Sequence, residues 1–78
     1  MPDTVPPPLS AGVMLTVNGE ARRVAEGTSV AGLLAQIGLA ERKVAVERNL
    51  EIVPRSRYAD TVLVAGDAIE IVHFIGGG

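Results

Sequence analysis

The chain has 78 residues, with seven basic and nine acidic side chains, a net charge of −2 and no cysteine. About 60 foldable residues bury only about 60% of their unfolded surface, so one small domain with little room for a deep enclosed active site is expected. The missing cysteines exclude disulfides, thiolate nucleophiles, iron–sulfur ligation and a Cys-built zinc site, and the interspersed charges form no basic stripe to neutralise phosphates.

Residues 1–12, MPDTVPPPLSAG, hold four of the five prolines and little apolar content, which predicts a disordered leader ahead of a domain spanning 13–75. They lack a basic segment followed by an apolar run, and no stretch approaches the roughly 18 apolar residues of a membrane span. A cytoplasmic protein with neither nucleic acid nor membrane as partner is expected.

VMLTV (13–17) alternates with period two, Asn18-Gly19 suits a tight turn, and EARRVAE returns, so a β-hairpin is predicted. Thr28-Ser29 offers a helix cap, and Val30, Leu33, Leu34 and Ile37 recur at helical spacing before Gly38, which predicts one helix over about 29–37. Gly32 inside it costs about 1 kcal/mol relative to Ala and is expected to mark close approach to a strand. KVAVERN (43–49) is a further strand, and Pro54 bars Ile52-Val53 from a central one. Ser56 is expected to cap a short turn at 57–60, and VLV (62–64) to be a brief strand. Ala65-Gly66-Asp67 is a turn, and AIEIVHFI (68–75) reads as the last and strongest strand. One helix for about five strands gives an α+β domain, a curved sheet wrapped around a single helix.

"VERNLEIVPRSRY", "VAGDAIEIVHF" and the final "GGG", taken in that order, closely resemble the ThiS family of sulfur carrier proteins of thiamine biosynthesis, ubiquitin-like β-grasp proteins with a mixed sheet. The resemblance runs from about Met14 to Gly78. It implies a protein cosubstrate rather than an enzyme, with no cofactor bound and no metal site. A partner adenylating enzyme, using ATP and magnesium, would activate the carboxylate of Gly78. Sulfur from a separate donor system would convert it to a thiocarboxylate, and thiazole synthase would receive that sulfur. Two alternatives stay open: the related small sulfur-donating subunit of molybdopterin synthesis, and a β-grasp interaction module that never reacts.

The residues suit that chemistry on their own terms. A carboxylate is a poor electrophile, whereas its mixed anhydride with AMP carries a good leaving group that incoming sulfur displaces. Without a thiol, a sulfur carrier must hold its sulfur at the C-terminus. Gly76 and Gly77 form the tail, where the lack of a Cβ suits a narrow channel, and Ile75 to Gly78 extended reach about 13 Å. Lys43 is the only lysine, a poor basis for a tag that polymerises through its own lysines.

In the last strand, Glu70 sets the water-facing side, which puts Ile69 and Ile71 in the core and Val72 and Phe74 outside. Val72, Phe74 and Ile75 are therefore the expected partner-docking residues beside the tail. His73 is read as structural, Asp67 as a turn residue and Asp60 as a solvated acid. Glu47, Arg48, Glu51, Arg55 and Arg57 are read as a solvated face with weak exposed pairs.

Overall fold

The computed structural model describes residues 12–74. The rest of the expected leader and the stretch Ile75 to Gly78 lie outside the described residues. Gly12 already belongs to the first strand, paired with Ala25.

The elements are β1 (Gly12–Val17), β2 (Glu20–Ala25), α1 (Val30–Gln36), β3 (Val44–Arg48), β4 (Glu51–Val53) and β5 (Ala68–His73). They build one five-stranded sheet in the order β2-β1-β5-β3-β4. β1 and β5 run parallel and the other three pairings are antiparallel. The strand furthest along the sequence thus sits at the centre, between two hairpins. The β1–β2 hairpin closes on Asn18 and Gly19, both at positive φ, as a two-residue turn with this hand of twist requires.

Ser29 caps α1, its Oγ accepting from the Gly32 amide at 3.0 Å. Two bonds close the other end: the Leu39 amide donates to the Leu34 carbonyl and the Gly38 amide to the Ala35 carbonyl, with Gly38 at φ +81. That pairing satisfies carbonyls the helix leaves open, and it needs a residue at ease with positive φ. Val30, Leu33 and Leu34 of α1 are buried against Leu15, Val24, Val46, Val53, Ile69 and Ile71 of the sheet, with Ile37 and Leu39 half-buried around them. Each fully buried side chain of this size stabilises by roughly 1.5–3 kcal/mol.

Four expectations are corrected. The brief strand at 62–64 does not form. Its alternation is real, with Leu63 buried and Val62 and Val64 half exposed, but its backbone serves the helix instead of the sheet. The carbonyls of Thr61 and Tyr58 accept from Val30 and Ala31, two of the amides a helix N-terminus leaves without partners, and the Leu63 amide donates to Thr28. The fifth strand is β4, at the sheet edge where Pro54 permits it. Ser56 caps nothing; it lies inside a 3-10 turn at Arg55–Arg57 that has no side-chain cap. A Cβ on Gly32 would meet Thr28 Cγ2 at 3.3 Å and Ser29 Oγ at 3.6 Å, so its neighbours are the residues of its own cap and no strand. Finally β5 stops at His73, and Phe74 follows with its amide bonded to the Lys43 carbonyl at 3.0 Å.

The β3–β4 hairpin turns on Asn49 and Leu50, with φ of 53 and 71. Asparagine tolerates this conformation. A leucine there sets its Cβ against the following carbonyl at a cost of roughly 1–2 kcal/mol. Leu50 gains nothing in return from packing, since it is 86% exposed. Replacing Leu50 with Gly is expected to stabilise the domain by up to about 1 kcal/mol, once the extra freedom of glycine in the unfolded chain is subtracted. For a domain of this size that raises Tm by about 4–8 °C, measurable by thermal unfolding followed by circular dichroism.

Candidate functional site

The expected site lies at the C-terminal end of β5, so what holds β5 sets its geometry. Both hairpin turns grip it through an asparagine side chain. Asn18, beyond the end of β1, accepts from the Ile71 amide at 2.7 Å and donates to the Ile71 carbonyl at 3.3 Å. Its carboxamide stands in for a strand residue and prolongs the parallel pairing. On the other side Asn49 accepts from the Ala68 amide at 2.9 Å, and its Nδ2 donates to Asp67 Oδ1 at 3.0 Å.

Asp67 is the hub of this arrangement and is only 4% exposed. Its Oδ2 accepts from Arg48 Nε at 2.9 Å and from the Val64 amide at 2.9 Å. Burial by itself raises the Asp67 pKa, but the Val64 amide, Asn49 and the Arg48 guanidinium outweigh it and hold the carboxyl below its usual 3.8. Asp67 is thus more than a turn residue, and Arg48, expected on a solvated face, is the partner of a buried carboxylate. Chemistry hidden in the sequence explains the miss: in "VERNLE" the two-residue loop carries Leu where a hairpin signal calls for Gly, and a Gly-Asp pair reads as an ordinary turn.

Beyond this hub the side chains of β5 alternate as expected. Ile69 and Ile71 are 0% and 9% exposed, while Val72 and Phe74 are 58% and 57% exposed on the outer face of the sheet. Val72 stands opposite Ala45, whose short side chain leaves the valine bare. Glu70 stands opposite Glu47, and Glu47 is in turn opposite Ile52, which is 65% exposed. The outer face therefore presents Val72, Phe74 and Ile52 around two carboxylates. Ile75, the third expected docking residue, and the tail Gly76, Gly77 and Gly78 lie outside the described residues. His73 is exposed at the end of the sheet. Among the described residues no three His, Cys, Asp or Glu side chains gather as metal ligands, and no helix is long and apolar enough to cross a membrane. A depression of about 270 Å³, lined by Val17, Asn18, Glu20, Ala21 and Arg22, lies by the β1–β2 turn.

A mixed five-stranded sheet around one helix, with the last strand central and running out toward the glycines, defines a ubiquitin-like β-grasp protein. The model of the ThiS family matches residues 15–78, and the chain belongs to that family. It is 44% identical over 66 residues to the sulfur carrier protein ThiS of Bacillus subtilis, covering 83% of this chain and all of that one. It superposes on the crystal structure of the thiamine biosynthesis protein ThiS from Geobacter metallireducens with a TM-score of 0.73 and 39% identity, covering 85% of this chain and the whole of the other. A thiazole synthase of Paramagnetospirillum magneticum is 55% identical over 64 residues, 82% of this chain. The chain spans about a fifth of the length of that synthase, at 20%, and of a second from Magnetococcus marinus, at 19%.

The hub makes a prediction about acid. Because the folded Asp67 titrates below the unfolded residue, its stabilisation is fully present above about pH 4 and is lost as the pH falls through the lower folded value. Asp67→Asn is expected to cost about 2 kcal/mol at neutral pH, since it removes a charge-assisted acceptor from the partly buried Arg48. The gap between wild type and variant should narrow below about pH 4. Urea unfolding of both proteins at neutral pH and at low pH measures it.

Proposed function

We propose that this chain is a sulfur carrier of thiamine biosynthesis, whose Gly78 carboxylate is adenylated and then converted to a thiocarboxylate. The observation that carries the reading is the full-domain match to the ThiS family through residue 78, joined to an apolar outer face at the end of β5. The absence of cysteine supports it, because no side chain of this protein can hold the sulfur. The chain itself is a cosubstrate. Adenylation is the work of a partner enzyme with ATP and magnesium: the Gly78 carboxylate displaces pyrophosphate from ATP, and a sulfur nucleophile then displaces AMP. Thiazole synthase is the proposed recipient, in line with the synthases that carry a similar segment. A cytoplasmic setting supplies the ATP.

Within this reading the domain and the tail divide the work. The sheet and helix of residues 12–74 present the docking face, and Gly76 and Gly77 would let the end pass a narrow channel without a Cβ to clash. Expression beside the cognate adenylating enzyme, followed by intact-mass measurement, tests the reading. A shift matching one oxygen replaced by sulfur on the terminal peptide is expected; a mass that never changes overturns it.

Two predictions follow from the division of work. Gly77→Val, or one residue added beyond Gly78, should leave Tm unchanged and abolish ATP–pyrophosphate exchange, because the reacting carboxyl must sit within about an ångström of its productive position. Normal exchange by the extended protein would remove Gly78 from its role. Val72→Asp and Phe74→Ala should weaken binding to the adenylating enzyme at least 10-fold while the free protein stays folded, since each loses apolar area of about a kcal/mol or more that a partner covers. Ile71→Asp, by contrast, should unfold the domain; calorimetry and titration of the same three proteins compare them.

A further inference from the structure

Glu47 and Glu70 are direct cross-strand partners on the outer face. The bonds from Phe74 to Lys43 and from Asn49 to Ala68 set the alternation of the β3–β5 ladder, and they place Glu47 and Glu70 at a hydrogen-bonded rung. At such a rung the Cα atoms are about 5.5 Å apart, with both side chains on one side of the sheet. Like charges so placed destabilise the strand pair. Among the described residues neither carboxylate has an ion-pair partner; Arg48, the nearest arginine along the chain, points to the other face and is engaged by Asp67. The free protein therefore keeps a repulsive pair at the centre of the face it would use for docking.

We infer that the Glu47–Glu70 pair is the specificity determinant of this face, receiving an arginine or lysine of the adenylating enzyme while Val72, Phe74 and Ile52 cover an apolar patch around it. The inference deepens the carrier reading and rests on it. Charge complementarity points to that occupant. A protein surface that draws in both ATP and a carboxylate tail is electropositive near its entrance, and a cation there relieves the repulsion that the free carrier holds. The geometry is also specific. Glu70 and Phe74 are four residues apart on the same side of an extended segment, so the cation belongs about 13 Å from the partner's pocket for Phe74. A partner with an apolar patch but no cation would leave two carboxylates desolvated against each other, which is discrimination by repulsion as well as by attraction.

Two variants separate this from a mere surface effect. Glu70→Lys creates an opposite-charge pair with Glu47, so the free protein should gain stability, seen as a higher Tm, while its affinity for the adenylating enzyme should fall by 100-fold or more. The double variant E47Q/E70Q should also melt no lower than wild type, yet bind about 10-fold more weakly and with a flatter dependence on salt. Isothermal titration at two or more salt concentrations, with thermal unfolding of the free proteins, reads both quantities. Unchanged affinity and salt dependence for Glu70→Lys would overturn the inference while leaving the carrier reading intact. Wild-type protein that neither binds nor is adenylated would instead overturn the carrier reading itself. Dimerisation of the wild type that Glu70→Lys abolishes, seen by sedimentation, would assign the face to a second copy and overturn the enzyme as its occupant.

Discussion

The buried carboxylate of Asp67 is the interaction on which the rest of the molecule depends, because it ties the turn ahead of β5 to the β3–β4 hairpin. Val64 belongs to the loop that closes the helix N-terminus and leads into β5, Arg48 ends β3, and Asn49 follows it in the β3–β4 turn. Asp67 itself is the residue before β5, so a single side chain sets where the central strand begins. From there Asn49 takes the Ala68 amide and Asn18 takes the backbone of Ile71, and the register of β5 is held from both flanks. Register matters more here than in an edge strand. A slip of one residue would turn Ile69 and Ile71 outward and bring Glu70 and Val72 into the core. A partly buried ion pair is a weak source of net stability, but it is a strong way to select one arrangement over its neighbours.

Much of this was legible in the residues, and what was not has a common physical reason. The first hairpin, the helix with its Ser29 cap and Gly38 stop, and the inward and outward faces of β5 all rest on local patterns with a period or a turn signal, and they stand in the structure as read. The segment 62–64 did not, because alternation reports only which side chains are buried. Leu63 is inside as a strand reading requires, yet the backbone bonds go to Thr28, Val30 and Ala31, which no period reveals. β4 was hidden by Leu50, a residue that pays for its turn conformation. Arg48 and Asp67 are 19 positions apart and meet only when the sheet forms. Long-range polar pairing is the part of a fold that patterns of one sequence leave unspecified.

The outer face of β3, β4 and β5 carries side chains that disagree with the free fold. Glu47 faces Glu70, and Ile52, Val72 and Phe74 are bare. The opposite face of the same strands has no such faults: Val46, Val53, Ile69 and Ile71 are all buried in one cluster. A sequence consistent at every level gives a stable fold, and departures from consistency gather where another demand is met. Here that demand coincides with the face that leads to the glycines.

The size of the patch also suits a carrier that must leave each partner. Covering the exposed parts of Val72, Phe74 and Ile52 returns of the order of 1–2 kcal/mol each. A gain of that size holds no partner tightly by itself. In the proposed complex the rest would come from the match between the acidic pair and a cation, which is lost when the geometry is wrong. A contact of this kind selects its partner sharply and still dissociates readily, and the proposed passage of sulfur from one enzyme to another would require both properties at once.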